Sequence, residues 1–443
     1  MTTPVPLPPD ALQSAERSGD PSDSPVSLLC SELVRFDSSA LGEFERGTAE
    51  RVALELSDLS LSPQILESAP RRTNVVARIA GTDPHQDALL VHIHLDVVPA
   101  DPSAWTVPPH AGEIRDGYVW GRGTVDMKNM AAMTLTALRR LLSTGWQPRR
   151  DIVLAFVADE ELGGGLGARW LVENHRELFE DCTEAIGEAG GFSHEYDAGR
   201  RAYLVQTAEK GIGWLRLIAR GTGGHGSMSH TDNPVVKLSE AIHRLEHHDF
   251  GLRLCRTSEG LVTTARQWHH ADTPEAALQA TGPLAKLLVP TLRNTYNATQ
   301  LTAGLQHNVV PSSAEARVDG RFVPGYEKEF YEELEALVGD LVHVERTLHS
   351  DALETPFTGP VPAAISAAIS AEDPQGVAVP ACLPIGTDAK HFARLGINCY
   401  GFVPLQLPAG FDFPAMFHGA DERVPTSALT FGERVLTHFF SAC

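Results

Sequence analysis

Short apolar segments alternate with one amphipathic helix in the first third of the chain. The segments Asn74–Ala80, Ala88–Leu95 and Asp151–Ala158 are strongly apolar and are bounded by glycine, proline or charged residues. Such runs are typical of strands that are buried on both faces of a sheet. Between the last two, Asn129–Leu142 has the apolar spacing of an amphipathic helix. Because strand, helix and strand follow one another, the pattern predicts an α/β sheet with crossover connections.

The rest of the chain mixes helical spacing with strand-like alternation. Two helices are expected between Pro25 and Leu61, and alternating strands take over from Ala202 onward. The later predicted elements are strands at Tyr203–Gln206, Trp214–Ala219, Asn297–Gly304 and Ser313–Phe322, and helices at Pro234–His248, Tyr326–Leu341, Val361–Ser370 and after Pro425.

The strand-rich block from residue 211 to residue 322 interrupts the α/β pattern and is predicted to be an inserted domain. The expected fold class is therefore α/β, with a mixed sheet flanked by helices and interrupted by a smaller α+β domain. The predicted organisation is a flexible N-terminal segment over residues 1–27, a main domain in two parts over 28–210 and 323–443, and the inserted domain over 211–322.

Composition and charge narrow the class of partner. The chain has 443 residues, of which 36 are Lys or Arg and 57 are Asp or Glu, so its formal net charge is −21. Because so acidic a surface repels phosphate backbones and anionic lipids, nucleic-acid binding and membrane-surface binding are not expected. A small-molecule substrate fits the charge better.

The six cysteines and the lack of a long apolar run indicate the cellular compartment in which the protein is expected. The cysteines show no CxxC motif and no regular spacing, which argues against a disulfide framework or a thiolate zinc site. Met1 to Ser27 lacks the basic-then-apolar order of a secretory signal, and no apolar run reaches about 18 residues. We therefore expect reduced, mostly buried thiols and a cytoplasmic protein.

A histidine and an aspartate stand at the end of one predicted strand. His94 and Asp96 are two residues apart, so they share a face, and a metal-binding imidazole needs such a carboxylate on its other nitrogen. A hydrogen-bonded core histidine explains the same pattern, and this is our interpretation of the neighbouring His92. The pair alone does not establish a metal site.

Acidic residues follow two further glycine-rich turns. Asp126 comes directly before the predicted helix Asn129–Leu142, where a helix N-cap is the simpler explanation. Asp159, Glu160 and Glu161 end the apolar strand before three glycines, where they are either a solvated strand end or a buried group that needs a cation.

Two later positions complete a set of oxygen and imidazole donors. Glu188 precedes Ala-Gly-Gly, and His418 lies in the segment Phe-His-Gly-Ala-Asp-Glu-Arg-Val. Together with His94, Asp126 and the acids after the strand, these residues provide the ligands of a two-metal site and leave one glutamate free. The carboxyl ends of strands are where α/β folds place their sites.

The order of these motifs resembles one metallopeptidase family. His-x-Asp, Gly-Arg-Gly-x-x-Asp-Met-Lys, Asp-Glu-Glu and Glu are followed by Gly-His-Gly-Ser, Asn-Val-Val-Pro and His-Gly-x-Asp-Glu-Arg-Val. The family contains aminoacylase, carboxypeptidase G, acetylornithine deacetylase, succinyl-diaminopimelate desuccinylase and carnosine dipeptidase. The resemblance runs from about residue 25 to the C-terminus and implies a catalytic main domain and a ferredoxin-like lid that also forms a homodimer.

The resemblance implies roles for the acidic and histidine residues. Each chain would hold two zinc ions. His94 and Glu188 would bind one ion, Glu161 and His418 would bind the other, and Asp126 would bridge both. Asp96 would orient His94, and Glu160 would be the general base that takes a proton from a metal-bound water and passes it to the departing amine. Cobalt or manganese is an alternative, because oxygen and nitrogen ligands alone do not select zinc.

The resemblance also implies a substrate-binding set. His225, in the inserted domain, would reach a tetrahedral oxyanion, and in dimeric members the partner subunit supplies this residue. Asn308 and Arg321 correspond to residues that grip the oxyanion and the substrate carboxylate, for which arginine offers a planar fork. Gly386 and Thr387 belong to the loop that lines the substrate end.

Some positions depart from the family pattern. Ala189 follows Glu188 where many members have glycine, and Lys390 stands where the loop often has arginine, which leaves substrate selection open because lysine offers no fork. The stretch from Leu252 to Lys286 matches no motif, and we interpret its histidines, His269 and His270, as surface residues.

The sequence therefore predicts a zinc-dependent amidohydrolase that cleaves a dipeptide or an N-acyl amino acid with a free carboxylate. Peptidase and deacylase stay undecided, and a desuccinylase is less favoured. An inactive binding homologue is the rival from another class, and the intact set of candidate ligands argues against it.

Overall fold

The computed structural model describes residues 20–443. Its α-helices are Pro25–Val34, Arg46–Asp58, Lys128–Ser143, Ala168–Asn174, Pro234–His247, Arg256–His269, Pro274–Gln279, Ala285–Leu288, Glu327–Val338, Pro360–Glu372, Ala389–Ala393 and Thr426–Ser441. Its strands are β1 Gln64–Ala69, β2 Arg72–Ile79, β3 Ala88–His94, β4 Glu113–Arg115, β5 Tyr118–Trp120, β6 Ile152–Val157, β7 Cys182–Gly187, β8 Phe192–Asp197, β9 Arg200–Glu209, β10 Gly211–Arg220, β11 Gly224–His225, β12 Thr295–Ala303, β13 Val309–Val310, β14 Ser313–Phe322, β15 His343–Ser350, β16 Leu353–Glu354, β17 Val377–Leu383, β18 Asn398–Gly401 and β19 Arg423–Pro425.

A ten-stranded mixed sheet forms the centre of the main domain. Its strands run in the order β1-β2-β6-β3-β7-β18-β9-β16, and β8 and β17 also pair with β9. The central neighbours β6, β3, β7 and β18 are parallel. Alternate residues of β3 enter different clusters, Leu89 and Val91 on one side and Leu90 on the other. Helices therefore cover both faces, as the apolar runs predicted.

A second sheet of four strands belongs to the inserted domain. Its order is β12-β14-β10-β15, and every neighbouring pair is antiparallel. The helices Pro234–His247 and Glu327–Val338 pack together, and the first of them also packs on this sheet. In chain order the elements run β-α-β-β-α-β, which is the ferredoxin-like arrangement. A separate apolar core, which includes Phe322 and Phe330, holds this domain together.

The inserted domain differs from the predicted range 211–322 in two ways. The domain extends beyond residue 322. The strand β15 belongs to it because β15 pairs with β10, and the helix Glu327–Val338 belongs to it because it packs on the helix Pro234–His247. The helix Arg256–His269 leaves the domain, since its apolar residues Leu261 and Val262 pack into the core of the main domain. The inserted domain is therefore built from two segments, about residues 211–250 and 295–350.

Most predicted elements are present within a few residues of their expected ends. Several elements were not predicted: the strands β1, β7, β8, β15, β17 and β18, the helices Ala168–Asn174 and Ala389–Ala393, and the helices between Arg256 and Leu288. The expected flexible segment 1–27 lies mostly outside the described residues, and its last residues already belong to the helix Pro25–Val34. Five of the six cysteines are buried and all are free, as expected. No helix among residues 20–443 is long and apolar enough to cross a bilayer.

A truncation in the core of the inserted domain tests its extent. Phe330 is fully buried and stacks on Tyr296, so Phe330→Ala should cost about 3–5 kcal/mol of stability. Hydrogen exchange should then rise in β10, β12, β14 and β15, while the helix Arg256–His269 stays protected. The control Leu301→Ala, at a 60 % exposed position of the same sheet, should change stability by less than about 0.5 kcal/mol. Protection of β15 that is unchanged in Phe330→Ala would contradict the revised boundary.

Candidate metal centre

The site lies where three parallel strands end. His94 is the last residue of β3, Glu160 and Glu161 follow β6, and Glu188 follows β7. Because β3 lies between β6 and β7 and is parallel to both, the carboxyl ends of the three strands meet at one edge of the sheet. Asp126 reaches the same edge from the turn before the helix Lys128–Ser143.

The two oxygens of Asp126 face two different histidines. Oδ1 is 2.9 Å from Nε2 of His94, and Oδ2 is 3.4 Å from Nε2 of His418. His94 Nε2 is also 3.7 Å from Glu188, and His418 Nε2 is 3.0 Å from Glu161. The structure therefore brings all five predicted ligands together, with Asp126 between two groups of donors.

Glu160 also contributes an oxygen to this centre. Its carboxylate, a nitrogen of His94 and an oxygen of Glu188 lie within 4.8 Å of one another, and Asp126, Glu161 and His418 form a second such group. The geometry thus places Glu160 beside the first group of donors. These distances suit a metal ligand as well as a general base, so the role of Glu160 as the base stays a prediction.

Asp96 links His94 to the acidic turn. Nδ1 of His94 lies 3.1 Å from the backbone oxygen of Asp96 and 3.6 Å from its carboxylate. The same carboxylate accepts hydrogen bonds from the backbone N–H groups of Glu160 and Glu161, each at 3.1 Å. One side chain therefore helps to fix both the imidazole and the turn that carries two of the acids.

The electrostatics of the site indicate a shortage of positive charge. Burial, reinforced by Glu188, raises the pKa of Glu160 well above its ordinary value, and burial likewise raises the pKa of Glu188. Burial opposes ionisation of Asp126, but hydrogen bonds from His418 and His94 lower its pKa overall. Hydrogen bonds to Asp126 and Glu161 raise the pKa of His418 to about 10. Carboxyl groups that are buried and close to one another need nearby cations in order to be ionised at the same time.

The donor set fits a pair of divalent transition metals. Carboxylate oxygens and imidazole nitrogens are the ligands that zinc, cobalt and manganese accept, and His94 presents Nε2 to the acids while Nδ1 faces Asp96. The unbalanced negative charge among the buried acids points the same way. The arrangement suits two ions that share Asp126.

Glu422 fixes the turn that carries Asp126. Its fully buried carboxylate accepts hydrogen bonds from the backbone N–H groups of Gly123 at 3.0 Å, Val125 at 2.8 Å and Asp126 at 3.3 Å. Arg122 donates to its other oxygen at 2.7 Å. Sequence reasoning included Glu422 in a motif and gave it no role, because its partners lie about 300 residues away.

Asp388 is a second acid without a predicted role. It is buried beside the site, and burial together with the charges of Asp96, Asp159 and Glu209 raises its pKa well above the ordinary value, although His94 opposes this rise. Its charge also raises the pKa of Glu160. The only feature of the sequence that could have identified Asp388 was its position directly after Gly386 and Thr387, in the loop that the resemblance places at the substrate end.

The substrate-side residues fall into two places. Gly386 and Thr387 lie beside the main site, where Oγ1 of Thr387 accepts a hydrogen bond from the backbone N–H of Ala389 at 3.2 Å and a Cβ on Gly386 would stand 3.1 Å from Nζ of Lys390. Lys390 itself donates to the backbone oxygen of Lys210 at 3.1 Å and pairs with Glu209 at 3.6 Å. Its ammonium group is therefore already engaged.

The other three predicted residues lie on the inserted domain. The backbone N–H of Gly226 donates to Asn308 at 2.8 Å, so His225 and Asn308 are neighbours. His225 is exposed and contacts Ser227 Oγ at 2.8 Å. Arg321, on β14, pairs with Asp319 at 2.7 Å. Among residues 20–443, no hydrogen bond or ion pair joins His225 or Asn308 to the acidic centre.

A small cavity of about 30 Å³ adjoins the centre. Asp126 and Glu188 line one side of it, and the rest of its wall is mainly apolar. The apolar side chains of the wall are Val125, Met127, Ala189, Phe192, Ile385, Val403, Phe413 and Phe417. A compact apolar group next to the acids would match this wall better than a charged one.

Comparison with known proteins agrees with this geometry. Residues 90–442 match the model of peptidase family M20/M25/M40. The chain belongs to this family. It is 30% identical over 383 residues to probable carboxypeptidase S-like 2 of Dictyostelium discoideum, covering 78% of this chain and 69% of the relative. It is 28% identical to aminoacylase-1 of Sus scrofa, with 87% and 86% covered.

A solved structure shows the same fold. The M20 family metallo-carboxypeptidase Sso-CP2 from Sulfolobus solfataricus matches with a TM-score of 0.70 at 18% identity, covering 94% of this chain and 98% of that one. The family membership confirms the predicted resemblance, and with it the prediction of a hydrolase that acts on amide or peptide bonds.

Removal of Glu422 should damage the framework of the centre. Glu422→Ala leaves Arg122 buried without its carboxylate and frees three backbone N–H groups, so we expect a loss of about 3–5 kcal/mol in the free energy of unfolding. Urea denaturation followed by circular dichroism measures it. The control is Glu113→Ala, whose carboxylate is 40% exposed and pairs with Arg115, and it should cost less than about 1 kcal/mol. Equal losses in both variants would contradict the role of Glu422.

Proposed function

We propose that this chain is a dinuclear zinc amidohydrolase that hydrolyses the amide bond of a dipeptide or an N-acyl amino acid with a free carboxylate. The observation that carries the proposal is the position of Asp126, whose two carboxylate oxygens face His94 and His418 at 2.9 and 3.4 Å. A carboxylate shared in this way is what a pair of ions requires.

The residues that would hold the metals follow from the two groups of donors. His94 and Glu188 would hold one zinc, Glu161 and His418 the other, and Asp126 both. When bound, the ions supply Lewis acidity that polarises the amide carbonyl and acidifies water. Cobalt or manganese could bind to the same donors, so zinc as the native metal is itself a part of the proposal that needs testing.

Glu160 would move the proton. Its carboxylate lies within 4.8 Å of the donor atoms of His94 and Glu188, and a carboxylate at that position is close enough to a metal-bound water to accept and release a proton. It would take a proton from the attacking water and deliver it to the departing amine nitrogen. Asp96 would hold the turn of Glu160 in place through the hydrogen bond at 3.1 Å.

The substrate end would be shared between the main and inserted domains. Gly386 and Thr387 would line it, and Arg321 would receive the substrate carboxylate, because its planar guanidinium group can bond both oxygens of a carboxylate. The apolar wall formed by Phe192, Phe413 and Phe417 would accept an apolar group beside the scissile amide. A deacetylase or desuccinylase of an amino-acid intermediate is the second candidate, and the aminoacylase relative favours an acyl substrate.

His225 and Asn308 would stabilise the oxyanion from the partner subunit of a homodimer. Both lie on the inserted domain, and neither is joined to the acidic centre by a hydrogen bond or ion pair within residues 20–443. That domain also exposes Trp214 and Leu348, which are 45 % and 39 % accessible and face each other on β10 and β15. Exposed aromatic and aliphatic side chains on one sheet suit a dimer interface. A cytoplasmic location stays a prediction.

A single substitution separates the base from the ligands. Glu160→Gln should retain about two zinc ions per chain by elemental analysis, because the five ligands are untouched, and should lower kcat by at least about 10²-fold. Turnover is assayed on a panel of dipeptides and N-acyl amino acids with zinc, cobalt or manganese. The control is Glu177→Gln, an exposed position.

Two results would count against the proposal. Retained turnover in Glu160→Gln would remove Glu160 from the role of the base. Full activity in protein from which a chelator has stripped every metal would remove the dinuclear mechanism as a whole.

Complementation tests the contribution of the partner subunit. His225→Ala and Glu160→Gln should each be inactive alone, and activity should reappear when the two are unfolded together and refolded, because a mixed dimer contains one site with both residues intact. Refolding each variant by itself is the control. A chain that is active as a strict monomer would exclude delivery from a partner.

A further inference from the structure

A second group of donors lies outside the centre just described. His194 is on β8, and His269 is the last residue of the helix Arg256–His269. Their rings face each other with centroids 5.7 Å apart and planes inclined at 51°. The sequence interpretation of His269 and His270 as surface residues holds for His270, which is exposed, whereas His269 is partly buried.

Each of these two histidines has an unused ring nitrogen. Nε2 of His194 and Nε2 of His269 are both buried and have no hydrogen-bond partner within residues 20–443. A buried polar atom without a partner costs about 1–3 kcal/mol, and such atoms in native proteins have an explanation. Two of them on facing rings point to a ligand that both would bind.

A cavity of about 270 Å³ is available beside the pair. His194 and His269 line it together with Glu195 and with residues of the segments 280–284 and 407–411. This space leaves room for an ion with water molecules in its remaining coordination positions, since two imidazoles alone do not fill a tetrahedral shell.

The spacing of the rings matches one shared ion. Two imidazoles that bind a single zinc ion through bonds of about 2.0–2.1 Å place their ring centroids roughly 5–6 Å apart. The observed separation of 5.7 Å falls in this range. Nearby Trp268 stacks on Tyr196, and its ring is 6.4 Å from that of His194, which fixes the position of the helix end that carries His269.

The surroundings favour a cation at this place. His269 ends a 14-residue helix, where the helix dipole is negative, and Glu195 lines the same cavity, although Arg266 lies in the same last turn. Burial, helped by His269, lowers the pKa of His194 to about 4, and burial lowers the pKa of His269. Both imidazoles are therefore neutral near pH 7, with a lone pair free for a metal.

We propose that His194 and His269 bind one divalent transition-metal ion, of the zinc, nickel or copper class, at a site separate from the acidic centre. Imidazole nitrogens suit these metals and not magnesium or calcium. A bound ion would join β8 to the end of the helix Arg256–His269. It would also border the segment 407–411, which precedes His418 in the chain.

Nickel binding near Trp268 tests this site directly. The parent chain carries His243→Gln and His247→Gln, which remove an exposed pair of facing rings on another helix. With two equivalents of zinc bound at the acidic centre and no free zinc left in solution, Ni²⁺ is titrated while tryptophan fluorescence is followed. We expect saturable quenching with one equivalent of Ni²⁺, and its loss in His194→Gln and in His269→Gln. His270→Gln, at the exposed neighbouring position, is the matched control and should quench as the parent does.

Further variants separate the possible outcomes. Trp268→Phe should remove the quenching while calorimetry still finds one Ni²⁺ bound, because the tryptophan only reports the ion. The proposal is overturned if the parent shows no saturable binding, or if His269→Gln binds Ni²⁺ as the parent does. His269 is partly exposed at a helix end, so this variant tests the site even where His194→Gln does not fold. The readout does not depend on turnover, so it stands whether or not the acidic centre proves catalytic.

Discussion

Like charges packed at the ends of parallel strands are the constraint on which this structure depends. Glu160, Glu161 and Glu188 come from two strands on either side of His94, and Asp126 lies between the groups. Such carboxylates repel each other when they are buried. The pKa of each of the three glutamates is raised, so ionised acids there need cations. The demand for metal therefore arises from the topology of the sheet itself, before any family comparison is considered.

Other buried charged groups bind the turns that carry these acids and fix their positions. Asp96 accepts hydrogen bonds from the turn of Glu160 and Glu161, and Glu422 does the same for the turn of Asp126. Arg72 pairs with both Glu45 and Asp159, next to the strand end that carries the acidic turn. Buried ionic groups therefore hold the two turns that carry Glu160, Glu161 and Asp126, in addition to the contacts that the donors make with one another.

The sequence was most informative where function and local pattern coincide. The strands around His94 and Glu160 were predicted because continuous apolar runs have a clear length and clear ends. The strand β15, with the sequence His-Val-Glu-Arg-Thr-Leu-His-Ser, was missed because polar residues occupy both of its faces. Glu422 and Asp388 were without a role because their importance comes from contacts that link distant parts of the chain, which no local spacing reveals.

The division of the chain into two bodies explains why the site is easier to predict than its substrate. The candidate metal donors all belong to the main domain, and the strand ends that carry His94, Glu160, Glu161 and Glu188 leave these residues little freedom of position. The proposed oxyanion group, His225 and Asn308, belongs to the inserted domain, whose separate core includes Phe330. On the proposed function, selectivity would depend on how that domain, or its copy in a partner subunit, meets the loop that carries Gly386. The proposed chemistry would then be set by the strand ends, whereas substrate choice would be set at a boundary between domains, where sequence motifs carry less information.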